Sequence, residues 1–409
     1  MNKEDFIVGL DIGSSKVAVA VGMPEIDGSL KLLGIGQAPA EGIKRGMIVD
    51  LEKVVGSIHA AVSDAELVTG CKISSVYTSI DGEHIKSINS RGAIAIGKGT
   101  SEISPMDVQR VIETAQAVAI PTDREIIHIL PQEFAVDDQN GITDPVGMMG
   151  IRLEVNIHIV TGSVAAVTNT IKAIEKANLE VEELVLSPYA AAYAVLKTDE
   201  RELGCALIDL GANTTDIAAF LDGAIKHTAV IGIGGKSVTN DIAIGLRTPL
   251  EQAERIKCLH GSALSTLVSS SEMISIPGVA GRESKEVSRS VVAAVVEPRA
   301  EEMFSLVARD LKRANLIESL ASGVILTGGA SQLQGIAELA EQIFDLPAKL
   351  AVPECIVDEN ITAPGPEHAA VIGLLKYGLI SDKTSKGKIG KKRGQGLFER
   401  IKIIFSEYF

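Results

Sequence analysis

Two stretches of this chain follow one pattern of apolar and polar positions. In FIVGLDIGSSKVAVAVG, which begins at Phe6, and in GCALIDLGANTTDIAAF, which begins at Gly204, an apolar run ends in Asp-x-Gly, a turn of small polar residues follows, and a second apolar run resumes. Alternation around such a turn predicts a β-hairpin in each stretch. Because the whole pattern recurs, with Asp11 and Asp209 in corresponding positions, we expect two related lobes rather than a short solenoid repeat.

The segments around each hairpin alternate between strand and helix patterns, which predicts α/β lobes. In the first lobe we expect a strand at 32–37, a helix at 50–67, a strand at 72–82, a helix at 162–178, a strand at 181–188 and a helix at 189–196. In the second lobe we expect a long helix at 297–316 and a strand, Gly-rich turn and helix at 323–344.

The pattern changes twice along the chain, which predicts a small module inserted in each lobe. The first module is an α+β unit with short strands at 93–96, 133–136 and 153–159 and one helix, for which Ser104 is the N-cap, Pro105 the first residue and Asp107 the third. The predicted organisation is a first lobe (1–83 and 163–197) with its module (84–162), a second lobe (198–245 and 300–381) with its module (246–299), a disordered basic linker (382–395) and a C-terminal amphipathic helix (396–409).

Composition narrows the class of protein. Apolar residues make up 46% of the chain and aromatic residues only 3%, so the cores must be built from Ala, Val, Ile and Leu, as in α/β proteins with buried strands. The net charge of −14 argues against nucleic-acid binding. The four isolated cysteines suggest reduced thiols in the cytoplasm. We expect neither a signal peptide nor a transmembrane helix.

The two hairpin turns are candidate phosphate-binding sites. A turn of glycine and small polar residues leaves backbone N–H groups that can bind anionic oxygens, although an ordinary β-turn is the alternative. The candidate residues are Asp11, Gly13, Ser14, Ser15 and Lys16 in the first turn, and Asp209, Gly211, Ala212, Asn213, Thr214 and Thr215 in the second. Two carboxylates beside a triphosphate require a hard cation, so we expect Mg²⁺ near Asp11 and Asp209, held largely through water.

A third element strengthens this prediction. LTGGASQLQG places Gly328, Gly329 and Ala330 between a strand and an expected helix N-terminus, where backbone amides suit a phosphate or an adenosine. In isolation this could be a simple strand-to-helix loop. Together with the two hairpins, in this order and spacing, it indicates a nucleotide site.

The three motifs resemble those of the actin/Hsp70/sugar-kinase ATPase superfamily. The resemblance covers residues 5–380 and implies an α/β fold of duplicated actin-like (ribonuclease H-like) lobes around an ATP cleft. It further implies that Glu254 and Lys257 in AERIKCLHG flank the ribose and adenine, and that Gly234 and Gly235 lie close to the nucleotide. An ordinary solvated i,i+3 pair is the alternative for Glu254 and Lys257.

Catalytic residues are harder to find. The superfamily needs a group that orients or deprotonates the attacking water, and the corresponding position here is Ser187, which is a poor base. Asp216 is a possible substitute, or simply a residue that caps a strand. We therefore expect ATP binding with weak or absent ATPase activity.

The last residues of the chain have a distinct pattern. Helical spacing places six apolar or amphipathic side chains on one face, namely Leu397, Phe398, Ile401, Ile404, Phe405 and Tyr408. Six basic residues precede them within 383–393. Such a combination is typical of an anchor on an anionic membrane surface, with a partner groove or docking on the chain's own domain as alternatives.

Residues 130–162, LPQEFAVDDQNGITDPVGMMGIRLEVNIHIVTG, resemble the signature of the FtsA family of actin-like bacterial cell-division proteins, and the terminal segment fits the same family. This resemblance implies a polymer-forming adaptor on the cytoplasmic side of the inner membrane at the division site. It implies as partners the C-terminal peptide of FtsZ, further copies of itself, later division proteins and the membrane surface. A pilus-assembly relative and a small-molecule kinase of the same superfamily are the alternatives.

Overall fold

The computed structural model describes residues 6–97, 102–279, 283–357 and 361–385, with the backbone alone for 382–385. The first lobe begins with β1 (Ile7–Ile12), β2 (Lys16–Pro24), β3 (Leu30–Pro39), β4 (Ile43–Lys44), β5 (Met47–Ile48), α1 (Leu51–Thr69) and β6 (Ser75–Ile80). The strands β1 and β2 form the expected antiparallel hairpin, with Asp11 opposite Ala18.

The first inserted module follows as β7 (Lys86–Ala95), α2 (Pro105–Gln116), β8 (Arg124–Val136), β9 (Gln139–Ile142) and β10 (Arg152–Ser163). Its sheet has the order β7-β10-β8-β9, and α2 packs against β7 and β10. The predicted capping box is confirmed, because Ser104 Oγ accepts from the Asp107 N–H and the Asp107 carboxylate accepts from the Ser104 N–H.

The strands of this module are longer than predicted. On β10, alternate residues such as Leu153 and Val155 pack under α2, whereas His158 on the opposite face meets the second lobe. Polar residues on that opposite face hid the strand pattern in the sequence, although they are covered by hydrogen bonds in the structure.

The chain then returns to the first lobe with α3 (Val164–Lys176), β11 (Glu180–Leu186), α4 (Ser187–Val195) and α5 (Thr198–Leu203). The second lobe comprises β12 (Cys205–Leu210), β13 (Thr215–Leu221), β14 (Ala224–Ile231), α6 (Gly235–Leu246), α7 (Leu250–His260), β15 (Met273–Ile276), β16 (Lys285–Ser288), α8 (Arg289–Arg313), β17 (Val324–Thr327), α9 (Ile336–Phe344) and β18 (Ala348–Leu350). The chain then returns to the first sheet with β19 (Ile356–Val357), which pairs with β3, and continues into α10 (Ala369–Ser385).

Sheet topology confirms the duplicated lobes. The first sheet has the order β11-β6-β1-β2-β3-β19, and the second has the order β14-β13-β12-β17-β18. In each sheet, a third strand pairs antiparallel with one strand of the hairpin, and two parallel strands follow on the side of the other. The third strand is β3 in the first sheet and β14 in the second, and the parallel strands are β6 and β11 in the first and β17 and β18 in the second. The repeat expected from the two Asp-x-Gly patterns is therefore a repeat of a whole sheet.

Two helices join the lobes. Residues of α4 and α10 share one core with residues from both sheets, including Ala18 of the first and Leu207 of the second. The helices cross closely, because a Cβ atom on Gly373 would lie 1.8 Å from the Ala190 carbonyl oxygen. The alanine-rich pattern of 189–196 is therefore needed for this close packing.

Two helix boundaries differ from the prediction. Helix α8 begins at Arg289 and contains Pro298, whereas the sequence placed its start near this proline. Burial of Val292, Ala293 and Val296 continues the helix through the proline despite the lost N–H donor. Helix α10 continues to Ser385, past the predicted start of the linker at 382.

Candidate functional site

A cavity of about 700 Å³ lies between the two sheets, and turns from both lobes line it. This volume is in the range of sites that bind small molecules and cofactors. The predicted residues that line it are Asp11, Gly13, Ser14, Ser15, Lys16, Asp209, Gly211, Ala212, Asn213, Thr214, Gly235, Glu254, Lys257, Gly328, Gly329 and Ala330. Thr215 and Gly234 were predicted as well, but they do not line the cavity.

The first turn joins β1 to β2. Asp11 is the penultimate residue of β1, and its Oδ1 accepts a hydrogen bond of 2.6 Å from Ser79 Oγ. Burial raises the pKa of Asp11, although the Ser79 hydrogen bond and the charge of Lys16 act in the opposite direction. The turn is tight at Gly13, where a Cβ atom would lie 2.9 Å from the Lys16 carbonyl oxygen.

The second turn joins β12 to β13 in the same way, and α6 is fixed against it. The Gly235 N–H donates to the Gly211 carbonyl oxygen at 2.9 Å, and the Lys236 N–H donates to that of Ala212 at 2.8 Å. A side chain on Gly234 would collide with this turn, because its Cβ atom would lie 2.7 Å from the Gly211 carbonyl oxygen. Gly234 therefore supports the turn from behind, and Thr215 is buried with its hydroxyl on the Ile233 carbonyl oxygen.

The Thr-Gly-Gly turn after β17 meets the second hairpin directly. Gly328 has φ +85°, and a Cβ atom there would lie 2.2 Å from Asp209 Oδ1. Only glycine allows both this backbone conformation and this close approach. The sequence predicted a helix N-terminus at this point, but Gly329–Gln332 form a short 3-10 helix and α9 begins only at Ile336, after Gly335 in a left-handed conformation. An α-helix dipole is therefore not directed at Gly329.

Glu254 and Lys257 lie on α7 at the other side of the cavity. Their side chains form an ion pair of 2.8 Å. The Lys257 ammonium also donates to Thr239 Oγ1 at 3.1 Å and to the Gly235 carbonyl oxygen at 3.3 Å. The pair thus joins α7 to α6 while it faces the cavity.

Four carboxyl groups face one another at the base of the cleft, two of which the sequence analysis placed there as cation ligands. Burial and the neighbouring charges of Asp11 and Asp81 raise the pKa of Asp209 to about 7. Burial, with the Asp81 charge, also raises the pKa of Asp216. Thr214 Oγ1 lies 2.9 Å from Asp81 Oδ2 and 3.2 Å from Asp216 Oδ2. Asp216 Oδ1 is buried without a hydrogen-bond partner among the described residues.

This arrangement is suited to a divalent cation, because a cation would offset the repulsion between buried carboxylates that otherwise favours their protonated forms. The residues that would hold Mg²⁺ are Asp11 and Asp209. Among the residues that the structure describes, no group of three or more His, Cys, Asp or Glu side chains is arranged to hold a metal directly. That the cation is held largely through water stays a prediction.

Sequence reasoning missed several polar residues in and around the site, three of which connect distant segments. Asp81 follows β6 and reaches Thr214 of the second lobe. Lys236 lines the cavity, and its Nζ donates to the Ser14 carbonyl oxygen at 2.7 Å. His368 Nε2 accepts a hydrogen bond of 2.9 Å from the Lys16 ammonium group. Asp81 in the dipeptide Asp-Gly at a strand end resembled an ordinary turn signal, and Lys236 stands directly after Gly-Gly, which could have marked it.

Of the two candidate catalytic positions, Ser187 supplies only a hydroxyl, which is a poor base. Ser187 begins α4, lines the cavity and is buried. Asp216 lies inside β13 opposite Asp209, so it does not cap the strand. The predicted membrane-binding residues of 396–409 and residues 386–395 of the predicted linker lie outside the described residues. Within the described part of the chain, no helix is long and apolar enough to cross a bilayer.

Comparison with protein families gives two matches. The model of the family described as "Cell division protein FtsA" matches residues 206–373, and that described as "SHS2 domain inserted in FTSA" matches residues 82–161. The second match coincides with the separate sheet of the first module.

Comparison with curated proteins gives relatives over nearly the whole chain. Cell division protein FtsA of Pseudomonas aeruginosa is 46% identical over 373 residues, which are 91% of this chain and 89% of the relative. That of Neisseria meningitidis serogroup B is 40% identical over 406 residues, which are 98% of each chain.

Solved structures share the fold at low sequence identity. A PilM-PilN type IV pilus biogenesis complex aligns with a TM-score of 0.66 and 17% identity over 91% of this chain and 98% of the other. MreB5 of Spiroplasma citri bound to ADP aligns with a TM-score of 0.52 and 16% identity over 94% and 98%. These likenesses confirm the actin-like fold.

Proposed function

Since the chain belongs to the FtsA family of cell-division proteins, we propose that it is an ATP-binding, polymer-forming actin-like adaptor. In this proposal it anchors FtsZ filaments to the cytoplasmic face of the inner membrane and recruits later division proteins. The alternatives of a pilus-assembly protein and a small-molecule kinase have less support, because the inserted module matches the family model of the division protein.

One observation carries the nucleotide part of the proposal: three glycine-containing turns from both lobes meet at one cavity. Gly13, Gly211 and Gly328 each allow the backbone to approach a ligand closely. Backbone N–H groups of the two hairpin turns suit phosphate oxygens, and Gly328 and Gly329 suit the adenosine. Mg²⁺ near Asp11 and Asp209 would neutralise charge on the phosphates.

The nucleotide acts mainly as a structural ligand in this proposal. Ser187 occupies the position from which a relative would supply a Glu or Gln, and a hydroxyl is a poor base at neutral pH. Binding across both lobes would stabilise one relative arrangement of them. Purified protein with Mg²⁺ and ATP should therefore release phosphate slowly or not at all, whereas turnover of several per second would contradict this part.

Anchoring rests on the C-terminal sequence. If the six apolar or amphipathic side chains of 397–408 insert into the membrane surface, their burial contributes about 25 cal/mol per Å² of apolar area. Most of this free energy offsets the entropy that a short peptide loses when it becomes ordered. A single copy should therefore bind a membrane weakly, and the basic residues of 383–393 should favour anionic lipid. Many copies on one polymer bind firmly through multivalency, which links polymerisation to anchoring.

The test is co-sedimentation of FtsZ with vesicles that contain anionic lipid. The full chain should bring FtsZ filaments down with the vesicles, and a chain that lacks 396–409 should not. A matched control is Ser406→Ala, which changes the opposite face of the predicted helix and should act as the full chain does. The anchoring proposal fails if the truncated chain still sediments with vesicles. The adaptor proposal fails if the full chain sediments with vesicles while the added FtsZ stays in the supernatant.

A further inference from the structure

Three lysines line the cavity, and they differ in how their ammonium groups are bound. Lys257 donates to Glu254, Thr239 and the Gly235 carbonyl oxygen, so its three donors are engaged. Lys16 donates to His368. Lys236 meets the Ser14 carbonyl oxygen and forms no ion pair within the part of the chain described.

Lys236 connects both phosphate turns. It is the second residue of α6, and its N–H is bound to the second turn at Ala212. Its side chain crosses the cleft and its ammonium reaches Ser14 in the first turn, over a distance of 2.7 Å. The lysine thus belongs to the second lobe but acts on the backbone of the first.

The start of α6 has little else to offer an anion. The N–H groups of Gly235, Lys236 and Ser237 already donate to the carbonyl oxygens of Gly211, Ala212 and Gly234. Of the α6 residues that line the cavity, Lys236 is the one with a cationic side chain. It is also exposed to solvent, and an ammonium group with three donors can bind an anion in addition to the Ser14 carbonyl oxygen.

We propose that Lys236 is a phosphate ligand supplied by the second lobe, which makes the site sensitive to the length of the phosphate chain. This inference rests on the proposed nucleotide binding. With Lys16 on the first lobe, it gives the cavity one lysine at the turn Gly13–Ser15 from each lobe. Terminal phosphates between them are bound from both lobes, whereas a nucleoside monophosphate, seated by the glycine turn after β17, does not extend that far.

The test compares dissociation constants for ATP, ADP and AMP, each with Mg²⁺, in the full chain and in Lys236→Met. A charged hydrogen bond to phosphate predicts a loss of about tenfold or more for ATP, a smaller loss for ADP and a change within about twofold for AMP. Lys236→Arg keeps the charge and should retain most of the ATP affinity. Lys53→Met removes the same charge from an exposed site on α1 and should leave all three constants unchanged.

The outcomes separate this inference from the proposed function. If the unmodified protein binds none of the three nucleotides, the proposed ATP binding fails. If it binds them and Lys236→Met binds ATP equally well, the inference about Lys236 is wrong and the ATP site stands. An equal loss for ATP and AMP would also overturn it, because that result indicates a structural role.

Discussion

At the scale of single residues, the cleft depends on glycines whose Cβ atoms would have no space. Gly328 is the strongest case, since it combines a positive φ with contact to Asp209 and to the Leu210 carbonyl oxygen. Gly56, in the exposed part of α1, has no atom within 4 Å of a Cβ position. The same substitution should therefore have opposite effects at these two sites.

We predict that Gly328→Ala lowers the free energy of unfolding by about 2 kcal/mol or more, through backbone strain and the collision with Asp209. Nucleotide binding should weaken with it. Gly56→Ala should raise the free energy of unfolding by about 0.5–1 kcal/mol, because alanine favours the helix. Chemical denaturation measures both, and a neutral result for Gly328→Ala would show that the turn can relax.

A second residue, His158, makes folding sensitive to acid. Its Nε2 lies 2.9 Å from Thr228 Oγ1 and its Nδ1 lies 2.6 Å from Asn89 Oδ1. Burial, with a smaller effect of His227, lowers the pKa of His158 from its ordinary value of 6.5 to about 3. The folded protein therefore keeps the neutral ring, while the unfolded chain binds a proton below pH 6.5.

This difference fixes the sign of the pH dependence. The contribution of His158 to stability is complete above pH 6.5 and is lost as the pH falls towards 3, at up to about 1.4 kcal/mol per pH unit. In His158→Gln this part of the slope should disappear, whereas His59→Gln, on the exposed face of α1, should keep it. Urea denaturation between pH 4 and 7 gives the slopes, and equal slopes for wild type and His158→Gln would contradict the prediction.

At the scale of elements, the sequence predicted those whose local pattern decides their structure. Both hairpins, α2 with its capping box and the strand before Gly328 follow from alternation, turn residues and caps. The full lengths of β7, β8 and β10 cannot be predicted in this way, because polar residues interrupt their apolar pattern. Asn89 and Gln132, for example, donate hydrogen bonds to the Lys226 and Ile225 carbonyl oxygens on β14. The path of α8 through Pro298 likewise depends on tertiary burial.

The candidate site shows the same division. Turn residues were found from motifs, whereas Asp81, Lys236 and His368 are brought together from distant segments, and only Lys236, directly after Gly-Gly, has a local signal. Their contacts join one lobe to the other or one loop to another. Such residues can be identified only when the arrangement of the lobes is known.

The crossing of α4 and α10 supports another prediction at this scale. Gly373→Ala places a methyl group where the Ala190 carbonyl oxygen lies, so the helices must separate. We expect a loss of about 2–4 kcal/mol in the free energy of unfolding, although alanine is the better helix former. Thermal unfolding should show this loss relative to Gly56→Ala, and a gain in stability would mean that the crossing is looser than described.

At the scale of the whole molecule, a ligand that binds both lobes should stabilise them together. With ATP and Mg²⁺ at about 100 times the dissociation constant, the gain is about 2.7 kcal/mol, which raises the melting temperature by a few degrees. Removal of Mg²⁺ with a chelator should cancel much of this gain. Asp209→Asn should show a smaller effect of Mg²⁺, and an undiminished effect in this variant would place the cation elsewhere.

Helix α10 belongs to the core between the sheets and its backbone runs on to Ser385. The segment proposed to bind the membrane therefore follows, in the chain, the helix that packs against both lobes. In the proposed function, a nucleotide that stabilises one arrangement of the lobes would also stabilise one position of α10, from which the chain continues towards 396–409. The proposed nucleotide site and the proposed membrane segment would thus be coupled through this helix.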